Sequence, residues 1–246
     1  MTSKRTLVVG DIHGGFKALL QVLNRANATV DDNLIFLGDY VDGWSESPQL
    51  LDFLIELNGT HQCIILCGNH DDLFLDWLKT GRKDEKWILH GGDTTIKAYE
   101  NISSEKRQLH IRFIESMRDH YLDESNHLFL HAGFTHIKGV ESEYFPKMFL
   151  WDRSLWEMAL ALNPNLAVDQ DRYPARLKLY SEIFIGHTPT TRIGETTPVN
   201  AANVWNLDTG AAFGGPLTIL NVETKQYWQS DPVSSLYPTE TLRPMW

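Results

Sequence analysis

Five apolar runs in the chain each end in glycine, or lie within two residues of one, beside a side chain able to bind a metal ion. They read Val8-Val9-Gly10-Asp11-Ile12-His13, Ile35-Phe36-Leu37-Gly38-Asp39, Ile65-Leu66-Cys67-Gly68-Asn69-His70, Leu128-Phe129-Leu130-His131-Ala132-Gly133 and Ile183-Phe184-Ile185-Gly186-His187. Ligands of open α/β sheets bind outside the carboxyl ends of the strands. Glycine at such an end permits close backbone approach and unusual dihedrals. Asp11, His13, Asp39, Asn69, His70, His131 and His187 all stand at these ends, and a shared metal centre is the economical reading. The length of 246 residues allows one large domain or two small ones. Donors spread from Asp11 to His187 that converge on one centre resolve this to a single domain, 1–246.

The remaining pattern supplies the elements. Thr6–Val9, Leu34–Leu37 and Ile64–Leu66 are apolar runs. Between and after them come helical spacing over Phe16–Ala26, a Ser47-Pro48 start opening a helix that ends near Gly59, and a helical stretch from Asp71 to Lys79 stopped by Gly81. Strand–helix units of about 30 residues imply parallel strands with right-handed crossovers. Residues 87 to 121 read as mostly helical. Further apolar runs follow at His127–Leu130, Ile183–Ile185, Val204–Leu207 and Leu217–Val222, the last pairing with Lys225–Trp228 as a hairpin. Alternating elements first and strands later predict two packed sheets with helices outside. Residues 231–246, with Pro232, Pro238 and Pro244, read as an irregular tail.

Acids outnumber bases 32 to 22, a formal net charge of −10, which argues against coating DNA or RNA, a role that needs a basic surface. No apolar run approaches the ~18 residues of a membrane span. Only Leu7-Val8-Val9 follow Lys4 and Arg5 before Gly10, too short for a signal peptide. Cys63 and Cys67 fall in one predicted strand, where four residues span ~13 Å, beyond disulfide reach. Two unpaired thiols fit a reducing compartment. The expected location is the cytoplasm, without membrane or nucleic-acid partners.

The donors mix carboxylate, amide oxygen and imidazole without thiolate, which suits Mn²⁺, Fe or Zn²⁺. Asp11 and His13, two apart, lie on one face of an extended backbone. Neighbouring Asn69 and His70 diverge, so one binds metal while the other faces substrate. Seven donors exceed the needs of one ion and match two that share a bridging carboxylate. Such a pair, ~3.5–4 Å apart, generates hydroxide at neutral pH and clamps a phosphoryl group.

Gly10-Asp11-Ile12-His13-Gly14, Gly38-Asp39-Tyr40-Val41-Asp42 and Gly68-Asn69-His70-Asp71 resemble the three signature blocks of the metal-dependent serine/threonine phosphoprotein phosphatases, a group within the calcineurin-like metallophosphoesterases. His131-Ala132-Gly133 and Gly186-His187-Thr188 are similar to the two downstream histidine blocks. Asp208-Thr209-Gly210 and Gly214-Gly215-Pro216-Leu217-Thr218 resemble the closing strands, so the likeness, to a bacterial-type member, covers Thr6 to about Val222. It implies an αββα metallophosphoesterase sandwich, two mixed β-sheets flanked by helices. It implies two divalent metal ions, Mn²⁺ with Fe or Zn²⁺ as alternatives. Asp11, His13 and bridging Asp39 would hold one, and Asp39, Asn69, His131 and His187 the other. It further implies His70 as general acid, Asp42 as the carboxylate orienting it, and Arg153, in Leu150-Trp151-Asp152-Arg153, as a phosphate-binding arginine of bacterial members. A serine or threonine alkoxide leaves poorly, and a positioned acid contributes ~10²–10⁴-fold.

Two departures stand out. Gly43-Trp44 replaces the usual Arg-Gly after Asp42, removing a bidentate phosphate contact, with Arg192 a weaker candidate than Arg153 for compensation. Asp71 replaces the usual glutamate, as in the related diadenosine tetraphosphate hydrolases, which in general lack the acid corresponding to Asp42. The expected activity is phosphomonoester hydrolysis on serine or threonine of a phosphoprotein, by a metal-bridging hydroxide with His70 protonating the leaving oxygen. The alternative is a diadenosine tetraphosphate or other small-phosphate hydrolase. An alternative of another class, motivated by Gly43, is a metal- and phosphoprotein-binding regulatory module with little activity. His61, His110, His120, His127 and His136 read as surface or packing residues, and Trp44 as packing or a substrate-side contact. His90 falls in Trp87-Ile88-Leu89-His90-Gly91-Gly92, which resembles a cleft-lining block of bacterial relatives.

Overall fold

Alternation of apolar side chains along the strands decides how this chain packs. In the computed structural model, which describes residues 4–241, the strands form two five-stranded mixed sheets. In the first, β1 (Thr6–Val9), β2 (Asn33–Phe36) and β3 (Gln62–Ile65) run parallel. On the other side of β1 lies the antiparallel hairpin of β9 (Thr218–Asn221) and β10 (Tyr227–Gln229). The second sheet has the order β4 (His120–Leu122), β5 (His127–Leu130), β6 (Glu182–Ile185), β8 (Val204–Asn206) and β7 (Val199–Ala201), with β5, β6 and β8 parallel.

Val8, Ile35 and Leu220 of the first sheet share one buried cluster with Phe129 and Phe184 of the second. Their neighbours along the strands face outward, Leu7, Val9, Leu34 and Phe36 on one side and Leu128, Leu130, Ile183 and Ile185 on the other. That is the two-residue period of a strand buried on both faces. Helices α1 (Phe16–Arg25), α2 (Ser47–Thr60) and α3 (Asn69–Thr80) follow the first three strands and cover the outer face of the first sheet through residues such as Leu19, Leu54 and Phe74. Helix Ser154–Ala161 covers the second through Leu155 and Trp156.

The structure departs from the sequence reading in four places. Helix α3 starts at Asn69, two residues early, because the Asp71 carboxylate accepts the Gly68 N–H at 2.9 Å and closes the helix start. Residues 87–121 are mostly helical, as read, but close on a strand that the reading did not give. After the π-turn Ile88–Gly92 and helices Asp93–Ala98 and Ser104–Glu115, the chain enters β4. Strand β7 had no counterpart in the reading. The tail is not wholly irregular, since Val233–Leu236 forms a helical turn and Tyr237 is buried, stacked on Trp44 at 5.2 Å between centroids. The last five residues of the expected tail, 242–246, lie outside the described residues. Among the described residues no helix is long and apolar enough to cross a membrane.

Candidate active site

The carboxyl ends of β1, β2, β3, β5 and β6 bring their loops together. Four residues there take left-handed backbone, His13 (φ 51°), Asp39 (55°), Asp42 (69°) and His187 (67°). Each such residue costs ~1–3 kcal/mol, and strain of this kind gathers at functional sites. It also overturns one expectation. Asp11 and His13 do not lie along one extended face, because the turn at His13 sends its ring to Asp39 while Asp11 faces the Gly186–His187 turn. Glycine is required at two of these ends. A Cβ on Gly68 would stand 2.1 Å from Oδ1 of Asp39, and one on Gly186 would collide with Asp11.

Asp11, His13, Asp39, Asn69, His131 and His187 are all buried. Two groups have ligating atoms within 4.8 Å of one another: His13, Asp39 and His70, and Asp39, His131 and His187. Asp39 belongs to both. Its Oδ2 lies 3.5 Å from Nε2 of His13, and its Oδ1 lies 3.5 Å from Nε2 of His131. Asp11 falls outside both groups. The His131 Nδ1–H donates to the Leu37 carbonyl at 2.9 Å, and the His13 Nδ1–H to the Asp42 carbonyl at 2.9 Å. Each ring thus turns an Nε2 lone pair inward. The Asn69 amide oxygen lies 3.0 Å from Nε2 of His131 and 2.8 Å from Nδ1 of His187.

These donors lack positive charge. No lysine or arginine pairs with Asp11 or Asp39 among the described residues, and Oδ1 of Asp11 and Nε2 of His187 are buried without a hydrogen-bond partner. Burial, then the neighbouring carboxylates Asp208 and Asp39, raises the Asp11 carboxyl well above its usual range. Burial, then Asp71, does the same for Asp39. Burial lowers His131 to about 3 and His187 far below its ordinary value. Clustered carboxylates facing neutral imidazoles and orphaned lone pairs are the surroundings that divalent cations stabilise.

His70 diverges from Asn69 as expected. Its Nδ1 lies 2.7 Å from Oδ2 of the fully buried Asp42. Two residues also hold this carboxylate, Trp87, read from sequence only as the head of a cleft-lining block, and Thr95, which was not singled out: the Trp87 indole N–H donates to Oδ2, and the Thr95 hydroxyl donates to Oδ1 at 2.6 Å. His70 opens onto a cleft of about 360 Å³, whose walls include His90, Trp151, Arg153, Arg192 and Asp208. Arg153 lines this cleft, and its buried Nε has no hydrogen-bond partner. Asp208, also missed, was visible only as the head of the Asp-Thr-Gly turn after β8.

Both departures acquire a physical account. Trp44 does not line the cleft; it is buried, donating its indole N–H to the Ala211 carbonyl at 2.9 Å. The Asp71 carboxylate accepts backbone N–H groups from Asp39 (2.8 Å), Tyr40 (2.9 Å) and Gly68 (2.9 Å), tying the β2 loop to the start of α3. Of the remaining histidines, His110 is buried against Tyr99 and Asp52. His61 and His127 line a separate cavity at the opposite strand ends. Both cysteines are free.

Comparison with known proteins agrees with this geometry. The family model of calcineurin-like phosphoesterases matches residues 4–213. Serine/threonine-protein phosphatase 1 of Salmonella typhimurium is 26% identical over 219 residues, 88% of this chain and 91% of its own. Bis(5'-nucleosyl)-tetraphosphatase of Bacillus mycoides is 29% identical over 260 residues, 97% of this chain and 98% of its own. The fold is that of a Saccharomyces cerevisiae serine/threonine phosphatase, at TM-score 0.61 and 15% identity, covering 93% of this chain and 80% of that one. With the blocks in place and their donors converging, the chain belongs to the calcineurin-like phosphoesterase family and is a phosphoester hydrolase.

Proposed function

We propose that this hydrolase removes phosphate from phosphomonoesters, with phosphoserine or phosphothreonine of proteins as the substrate. The observation that supports this reading is the His70–Asp42 pair at the cleft wall. A protein alkoxide leaves poorly and needs a proton, whereas a nucleotide leaving from a polyphosphate chain needs none. Asp11, His13 and Asp39 would hold one divalent cation, and Asp39, Asn69, His131 and His187 a second, with Mn²⁺ the metal best suited to this donor set. Bound there, the cations would lower the pKa of water and neutralise phosphoryl charge. Asp42 orients the His70 ring, His70 carries the proton to the leaving oxygen, and Arg153, which lines the same cleft, binds phosphate oxygens. We place these roles in one domain, and the free thiols of Cys63 and Cys67 fit the cytoplasm.

A second reading, hydrolysis of a dinucleoside tetraphosphate, draws on two guanidinium groups, Arg153 and Arg192, in one cleft and on the likeness to a bis(5'-nucleosyl)-tetraphosphatase. Steady-state rates with Mn²⁺ on phosphoserine, phosphothreonine and phosphotyrosine peptides and on diadenosine tetraphosphate separate the readings. Higher kcat/KM on phosphoserine or phosphothreonine peptides supports the first, and higher kcat/KM on the dinucleotide overturns it.

A further inference from the structure

Asp42 can aim the His70 ring only if its own carboxylate plane is fixed. Rotation about the terminal torsion of an aspartate is broad and roughly two-fold, so a single hydrogen bond to an imidazole does not define it. Here both oxygens are engaged. Oδ2 accepts from His70 Nδ1 at 2.7 Å and from the Trp87 indole, while Oδ1 accepts the Thr95 hydroxyl at 2.6 Å. The same Thr95 oxygen accepts the Asp42 N–H at 3.0 Å, and Thr94 accepts the Gly43 N–H at 3.1 Å, pinning the left-handed turn from which Asp42 projects.

The chain between these donors is shaped to deliver them. Gly91, at φ 99°, takes a backbone that strains any side chain, and a Cβ there would press on the Gly43 nitrogen at 3.0 Å. A Cβ on Gly92 would enter the Trp87 ring at 2.5 Å. The π-turn Ile88–Gly92 therefore folds the indole back beneath the helix that carries Thr95. Trp87, Gly91, Gly92 and Thr95 form one device, and Trp87 and Thr95 are themselves fully buried.

We infer that Trp87 and Thr95 are positioning residues for proton donation, acting through Asp42 on the orientation of His70. The inference rests on the reading of His70 as the acid. The test compares the wild-type enzyme with His70→Asn, Trp87→Phe, Thr95→Val and Thr95→Ser, each loaded with Mn²⁺ and matched for bound metal. The substrates run from p-nitrophenyl phosphate, whose leaving group needs little proton assistance, through phenyl phosphate to a phosphoserine peptide. Trp87→Phe and Thr95→Val should lower kcat on the poorer leaving groups by ~10–100-fold, the range for outer partners of site residues, with a smaller loss on p-nitrophenyl phosphate and little change in KM. Thr95→Ser, which keeps the hydroxyl, should recover the wild-type leaving-group dependence. Should Trp87→Phe fail to fold, the two threonine variants decide the matter. A loss equal across all substrates in Trp87→Phe and Thr95→Val, alongside a leaving-group-dependent loss in His70→Asn, would overturn the positioning assignment alone. A leaving-group-independent loss in His70→Asn would overturn the acid reading and this inference with it.

Discussion

A methyl group built on Gly186 would stand 1.9 Å from Oδ1 of Asp11. The Asp11 carboxylate already accepts the His187 N–H at 3.0 Å through its other oxygen, so its retreat would disturb that bond. Gly186→Ala should therefore displace Asp11 and weaken metal binding by at least ~10-fold, as disturbed metal surroundings commonly do. The sheets should persist, because both cores lie behind the strand end. Metal titration followed beside far-ultraviolet circular dichroism checks this, and unchanged affinity would count against Asp11 as a ligand.

Arg153, which lines the cleft, is the residue we propose for the phosphate contact that Gly43 cannot supply. Arg153→Ala should lower kcat on a phosphoserine peptide by ~10²–10³-fold, the usual loss for one donor to developing charge. Arg153→Lys should recover little, since an ammonium does not reproduce a planar fork. Full recovery by lysine would show that charge alone matters at this wall.

Stability of the metal-free protein should depend on pH with a definite sign. Burial raises the carboxyls of Asp11 and Asp39, and pushes Asp71 up to about 7. Their contribution is fully present below the unfolded value of ~3.9 and is lost as pH rises through the folded values. His131 and His187, lowered by burial, act oppositely, and their effect is complete above the unfolded value of ~6.5. Between about pH 6.5 and 8, therefore, only the carboxyl effect remains, and the Tm of chelated protein should fall. Cation-loaded protein, with the same groups ionised in both states, should show a flatter curve. Thermal unfolding with chelator and with Mn²⁺ makes the comparison, and parallel curves would contradict it.

Tyr237 ties the segment after β10 into the core on the outer face of the first sheet. Its ring stacks on Trp44, its hydroxyl donates to Glu46 and accepts the Lys17 N–H at 3.0 Å. Tyr237→Ala should cost ~3–5 kcal/mol, as for other buried aromatics cut to alanine. A urea midpoint shift of less than about 1 kcal/mol equivalent would mean that the segment after β10 is not part of the core.

The metal donors were legible in the sequence because each sits within two residues of a glycine at a strand end. Gly68 and Gly186 mark strand ends where backbone and carboxylate touch, and Gly38 one where it meets the Gly68 backbone. Trp87 and Thr95 were not legible, because their role depends on meeting Asp42 about 50 positions earlier. Trp44 was ambiguous for the same reason, its partner Tyr237 lying near the other end of the chain. Strands β4 and β7 are three residues long and pair with one neighbour each. Their extended state comes from that pairing rather than from local composition. The relation assumed between Asp11 and His13 failed because period-two reasoning applies only while the backbone stays extended, and it turns left-handed at His13.

The donors straddle the seam between the sheets. Asp11, His13, Asp39 and Asn69 follow strands of the first sheet, while His131 and His187 follow strands of the second. Contacts such as His187 N–H to Asp11 and His131 to Leu37 cross that seam, whose interior is otherwise apolar packing around the Phe129–Phe184 stack. Bound cations would thus act as a rivet between two plates, and their affinity becomes a gauge of how the plates are aligned. A change in seam packing remote from any donor would slacken the rivet before it loosened either plate.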